Sequence, residues 1–171
     1  VDGKLYNFQK KMDEIYRGDI RLVVERFFEI SSNMVRKGGF DIVGHVDKIA
    51  QNGMKCSGFD ITQPWYNKLV TDLLQIIRDK GMMLEINTKS FLELGITYPD
   101  VQFFPVIREM GIPILVNSDC HYSDKILDGF GQVYELLIQA GFQSKMELKG
   151  KEWVESPLNP LPMYRDKLRG T

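Results

Sequence analysis

Ile112-Pro113-Ile114-Leu115-Val116-Asn117-Ser118-Asp119-Cys120-His121 is the stretch whose reading decides the fold. Its first half is an unbroken apolar run, the pattern of a strand buried on both faces. Its second half turns polar at once and carries an acid and a histidine two residues apart. Residues i and i+2 at a strand end point to the same side. Asp119 and His121 therefore converge on one point, with Cys120 facing away. A carboxylate and an imidazole at the mouth of an α/β sheet form a ligand pair suited to Zn, Mn or Fe. A capping aspartate beside a surface histidine is the plainer alternative. The chain holds two histidines, and the other, His45, follows a second strand-like run, Phe40-Asp-Ile-Val-Gly44. Gly44 permits close backbone approach there, and Asp47 in the same turn reads as a loop cap.

Outward from these strands the chain alternates. Asp19 caps a helix with apolar residues at Ile20, Val23, Val24, Phe27, Ile30 and Met34, which Gly38-Gly39 stops. After the strand at 40–44 comes a polar loop over 45–63. Pro64 opens a second helix with Tyr66, Leu69, Val70, Leu73, Ile76 and Ile77 on one face, and Gly81 ends it. Met82 to Ile86 reads as a strand, 87–99 as a loop and 101–110 as a short helix. The strand 112–116 follows, and a helix carrying Phe130, Val133, Leu136 and Leu137 closes at Gly141. Helix–strand alternation predicts an α/β fold, with parallel strands joined by crossover helices. The strand exits carry His45, Glu85 with Asn87, and Asp119 with His121, as on the carboxyl-end rim of a (β/α) barrel. So few strands do not close a barrel, so the expectation is a partial one. Residues 1–171 read as a single partial domain, with 142–171 a tail packing on it.

Composition bounds the function classes. The chain has 171 residues, 43% hydrophobic and 26% charged, with a net charge of −1. These are globular values. The balance gives no bulk attraction for nucleic acid or an anionic membrane. No apolar run approaches a membrane span, and Val1-Asp-Gly-Lys-Leu5 has no signal-peptide pattern. Two cysteines, Cys56 and Cys120, are too few for a disulfide framework, so a cytoplasmic protein with reduced thiols is expected. The start at Val1 suggests a piece of something longer.

Individual residues carry competing readings. Glu85 lies inside a strand, where a carboxylate must face solvent or be held by a cation or by hydrogen-bond donors. Asn87 and Thr88 suit substrate binding or a turn equally, and Lys89 suits a phosphate or plain solvent. Cys120 reads as a small packed side chain. The lysines between Lys145 and Lys151 read as a solvated face, and Phe59, Trp65 and Tyr66 as core.

The ordered set Phe40-Asp-Ile-Val-Gly-His45-Val-Asp47, Leu84-Glu-Ile-Asn-Thr88, Val116-Asn-Ser-Asp-Cys-His121 and Gly141-Phe142 resembles the carboxyl-terminal half of the PHP-type metal-dependent phosphoesterases, in particular their histidinol phosphatase branch. The resemblance runs over about residues 20–145, against motifs of the form D-I-I-G-H-x-D, E-I-N-T and S-D-A-H. It implies a distorted (β/α)7 barrel with up to three divalent transition metals, Zn, Mn or Fe, at the strand carboxyl ends. His45, Asp119 and His121 match the last metal ligands, with Asp119 and His121 at the reacting centre. Asn87 and Lys89 stand where substrate is bound. The implied activity is hydrolysis of a phosphomonoester, L-histidinol phosphate in histidine biosynthesis. Cys120 replaces the usual alanine, and Lys89-Ser90-Phe91 stands where the family has Gly-Leu-Arg. The family's H-x-H motif has no counterpart here. The expected partners are therefore a small phosphate ester and the missing amino-terminal half or a second copy, and the isolated chain is expected to be nearly inactive. The alternatives are another small phosphate or nucleotide substrate, or a non-catalytic fragment that folds by self-association.

Overall fold

A computed structural model describes residues 5–160. The chain divides at Met82 and Met83 into two compact units. Among the described residues no helix is long and apolar enough to cross a membrane.

The first unit is helical apart from one short strand. It holds α1 (Leu5–Tyr16), α2 (Ile20–Lys37), β1 (Ile42–Val43), α3 (Ile49–Ser57) and α4 (Pro64–Asp79). Helix α2 begins where its cap predicts: Asp19 Oδ1 accepts from the backbone N–H of Arg21 at 2.9 Å and of Leu22 at 3.2 Å, which satisfies two orphan donors of the first turn. Arg36 and Lys37 occupy its last turn, where positive charge suits the helix dipole. Pro64 opens α4 with its ring in the first turn, where no N–H is needed. Val24, Phe28 and Val35 of α2 meet a fully buried stripe on α4, namely Tyr66, Val70, Leu73, Leu74 and Ile77. Tyr66 is held edge-on by Phe28, at 5.8 Å between ring centres, and by Phe59, at 5.1 Å, an arrangement aromatic quadrupoles favour.

The expected loop over 45–63 is in part a helix, α3. Asn52-Gly53 in its middle is a breaking pattern by local preference. The reason for the exception is packing. A Cβ on Gly53 would sit 3.1 Å from the Phe59 ring and 3.4 Å from Ile20, so glycine lets these apolar groups close onto the helix. Helix α1, ahead of Asp19, is a further element, and it buries Met12.

The second unit is mixed α/β. It holds β2 (Met83–Asn87), the one-turn α5 (Phe91–Leu94), a 3-10 turn over 101–103 that continues into α6 (Phe104–Glu109), then β3 (Ile114–Asn117), α7 (Phe130–Gln139), β4 (Ser144–Lys149) and β5 (Glu152–Pro157). Strands β2 and β3 run parallel, as the helix–strand alternation predicts, with Leu84 beside Ile114, Glu85 beside Leu115, Ile86 beside Val116 and Asn87 beside Asn117. Every residue of β2 is buried, as in a strand covered on both faces. Strand β3 starts two residues later than the apolar run, because Pro113 has no N–H to give a ladder. Its carbonyl still accepts from Leu84 N at 2.9 Å.

The tail expected over 142–171 contains an antiparallel hairpin, β4 with β5, turned at Gly150, with β4 against β3. Its proline-rich end beyond 160 lies outside the described residues. One expectation about this segment is corrected. Lys145 is not part of a solvated face: it is 8% exposed, its ammonium bonded to Glu147 and set over the Tyr134 ring. Its position on the hairpin face that turns inward, not its charge, decides where it sits.

Candidate functional site

The site of the second unit grows out of the register of β2 and β3. Parallel pairing sets Asn87 and Asn117 side by side at the carboxyl end of the sheet. Glu85, two residues back on β2, is 9% exposed. Its two carboxylate oxygens accept from the side-chain amides of Asn117 at 3.0 Å and Asn87 at 3.3 Å. This answers the question of how a carboxylate sits inside a strand: hydrogen-bond donors compensate it.

Asn87 passes the order on. It is fully buried. Its carbonyl oxygen accepts from the backbone N–H of Lys89 at 3.0 Å. Thr88 locks the same turn, its N–H to Asn117 O at 2.8 Å and its hydroxyl to Asp128 O at 2.6 Å. Gly129 makes the second contact possible, with φ of 76° and only 3.2 Å of room between a notional Cβ and Thr88. The side chain of Asn87 is thus engaged inside the protein, shaping the turn that carries Lys89.

From that turn Lys89 reaches the end of β3. Its Nζ lies 2.9 Å from Asp119 Oδ2 and 3.2 Å from His121 Nε2. Asp119 Oδ1 and His121 Nε2 are 3.7 Å apart. The convergence of Asp119 and His121 comes about differently from strand alternation. Asp119 has φ of 46°, so the chain turns left-handed there and brings the next side chains round. Cys120 is partly buried between them.

His45 belongs to the first unit. It follows β1, is partly buried, has φ of 53°, and its carbonyl accepts from Lys48 N at 3.1 Å. Asp47 in the same turn is buried, and its carbonyl accepts from Ala50 N at 2.9 Å at the start of α3.

Asp119 and His121 offer one carboxylate oxygen and one imidazole nitrogen to the same point, and a cationic nitrogen already stands there. Carboxylate oxygen and imidazole nitrogen are donor types that borderline divalent cations such as Zn, Mn or Fe accept, but two of them are not a complete ligand set. Among the described residues no group of three or more His, Cys, Asp or Glu side chains gathers at metal-holding distance. The residues that sequence reading did not connect are Glu85, Asn117 and Lys89. The signal for the first two was an acidic residue inside an apolar strand, with an asparagine at the end of that strand and of its neighbour. Matched against models of known protein families and against curated proteins, the chain finds no counterpart.

Proposed function

We propose that the protein is a metal-dependent phosphomonoester hydrolase of the histidinol phosphatase type, present as the carboxyl-terminal part of a PHP-type (β/α) barrel. One observation carries the reading: Asp119 and His121, at the carboxyl end of a buried parallel strand, converge on a single cationic nitrogen at 2.9 and 3.2 Å. Carboxylate and imidazole, on the sheet end where α/β enzymes keep their chemistry, are part of what a hydrolytic metal site needs.

In this reading Asp119 is an anionic ligand and His121 a second ligand through Nε2. Divalent metal, when bound, supplies Lewis acidity toward water and phosphate. Lys89 lies within reach of the same point and suits the negative charge of a phosphate. Glu85 and Asn87 hold the turn that presents it. The substrate class is a small phosphomonoester, L-histidinol phosphate by resemblance. Further ligands come from an amino-terminal half.

The test is phosphate release from L-histidinol phosphate, with and without added Mn2+ or Zn2+, by the 171-residue chain and by the longer protein the reading implies. The longer protein should turn over substrate only with metal, and the shorter should be nearly inactive, because an incomplete ligand set holds no defined cluster. Equal rates for the two would show that the site residues are misassigned.

A further inference from the structure

We infer that the cleft between α1 and α2 binds a small amphipathic anion, an alkyl chain that ends in a carboxylate. The site lies wholly within the first unit and stands apart from the function proposed for Asp119 and His121.

The two helices leave a cleft of about 400 Å3 between them, which the start of α3 also lines, a size common for small-ligand pockets. Its inner surface is apolar. Met12 of α1 and Ile49 of α3 are buried there, and Val23 and Phe27 of α2 are half-buried. Ile15 on α1 and Ile30 on α2 line the same cleft and remain 65% and 54% exposed. Covering such groups with an apolar chain is favourable in proportion to the area taken from water. Charge selects the other end of the ligand. Lys11 and Arg26 line the cleft, and among the described residues the lining includes no Asp or Glu. Arg26 already holds Glu29 at 2.6 Å, and Lys10, next along α1, lies 3.7 Å from Glu14. Lys11 has no ion pair among the described residues. The uncompensated charge on the lining is therefore a single ammonium, which matches a single carboxylate. The hydroxyl of Ser31 and the amide of Asn7 add donors on the same lining. Size selects against a protein partner. A helix 10–12 Å across occupies roughly 400–600 Å3 per turn, so the cleft holds one turn at most, whereas an extended alkyl chain is slim enough to lie inside it.

The experiment is an NMR titration of the 171-residue chain, labelled with 13C at its Met and Ile methyls, with decanoate held below its micelle concentration. Decyltrimethylammonium and decanol serve as the cationic and neutral probes, and circular dichroism confirms the fold of each variant. Decanoate should move the methyl signals of Met12, Ile15, Ile30 and Ile49 together and saturably, while the methyls of the second unit stay put. Lys11→Gln should weaken its binding by about three- to fivefold, the scale of a partly exposed ion pair. Lys11→Arg should bind it within about twofold of wild type. Both other probes should bind more weakly than decanoate. If decanoate moves none of these methyls, or moves methyls throughout the chain as a detergent does, the site is overturned. If decanol binds as well as decanoate and Lys11→Gln changes nothing, the anion is the wrong ligand and the inference falls. If the four methyls move on dilution of the chain alone, a second copy occupies the cleft and the inference falls likewise. None of these outcomes bears on phosphate release at Asp119 and His121.

Discussion

Arg17, His45 and Asp119 are the non-glycine residues that adopt positive φ among the described residues, at 55°, 53° and 46°. For an L-residue this region costs roughly 1–2 kcal/mol, somewhat less for Asp and His, which tolerate it better. Arg17 sits in the exposed turn between α1 and α2, beside Gly18, and the cost there serves chain reversal. His45 and Asp119 follow β1 and β3, and residues kept in such regions concentrate at functional sites. Arg17→Gly should therefore raise stability by up to about 1 kcal/mol, read from urea unfolding. Gly129→Ala should do the reverse. Its Cβ would enter left-handed space against Thr88 and Phe91, at 3.2 and 3.3 Å. A loss of about 2 kcal/mol is expected, together with a shift of the Lys89 Nζ signal in 15N-edited NMR, because the Thr88–Asp128 tie holds that turn.

Helix α2 and the β4–β5 hairpin show two ways an element is stabilised locally. Asp19 caps α2 through two backbone donors, so Asp19→Ala should cost about 1 kcal/mol, measured by the shift in unfolding midpoint. The hairpin depends on charge. The Lys145 ammonium bonded to Glu147, with further bonds from Ser156 and Lys149, lowers the Glu147 carboxyl to about 2 from its ordinary 4.5. Because the folded value lies below the unfolded one, this contribution is complete above the unfolded value of 4.5. It disappears as pH falls through about 2. Unfolding followed from pH 5 to pH 2 should show a shallower acid loss for Glu147→Gln than for wild type. Identical slopes would mean that the Lys145–Glu147 pair contributes nothing to folding. The cap of α2 was legible in the sequence, an acid just ahead of an apolar period. The hairpin pairing was not, because Lys145 reads as part of a solvated face until β5 and Tyr134 are placed around it.

Each unit of the molecule buries its own apolar centre. Leu73 in the first unit is completely buried, and Leu73→Ala should cost about 3 kcal/mol, read from chemical denaturation. The function proposed for the whole protein makes a sharper demand. Under the proposed function, Asp119→Asn keeps shape and removes the anionic ligand, so metal-dependent phosphate release should fall to a small residue of wild type. His121→Ala should do at least as much. Glu85→Gln is a milder change. The amide can still accept from Asn87 or Asn117 but not from both in the same way, so the turn carrying Lys89 loosens. Its effect should appear in KM more than in kcat, since Glu85 acts through Asn87. A loss confined to kcat would place Glu85 among the reacting groups instead.

The sequence by itself determined what depends on neighbours along the chain. The 3.6-residue apolar period, Asp19, Pro64 and the glycines at 38, 81 and 141 set the limits of α2, α4 and α7 within a few residues. The alternation of helices with the apolar runs before Asn87 and Asn117 predicts parallel strands, and β2 and β3 pair that way. The spacing of Asp119 and His121 at a strand exit predicts that the two side chains come to one point. Tertiary structure decided the rest. Helix α3 forms across Asn52-Gly53 because Phe59 and Ile20 close on a position with no Cβ. Glu85 is tolerated because the parallel register brings in Asn117 from 32 residues away. Lys89 meets Asp119 and His121 across 30 and 32 residues, and no local pattern encodes that contact. Local preferences are worth tenths of a kcal/mol per residue, so they fix where elements start and stop. A buried carboxylate or a shared cation is worth more than that, and its partners exist only once distant segments have packed.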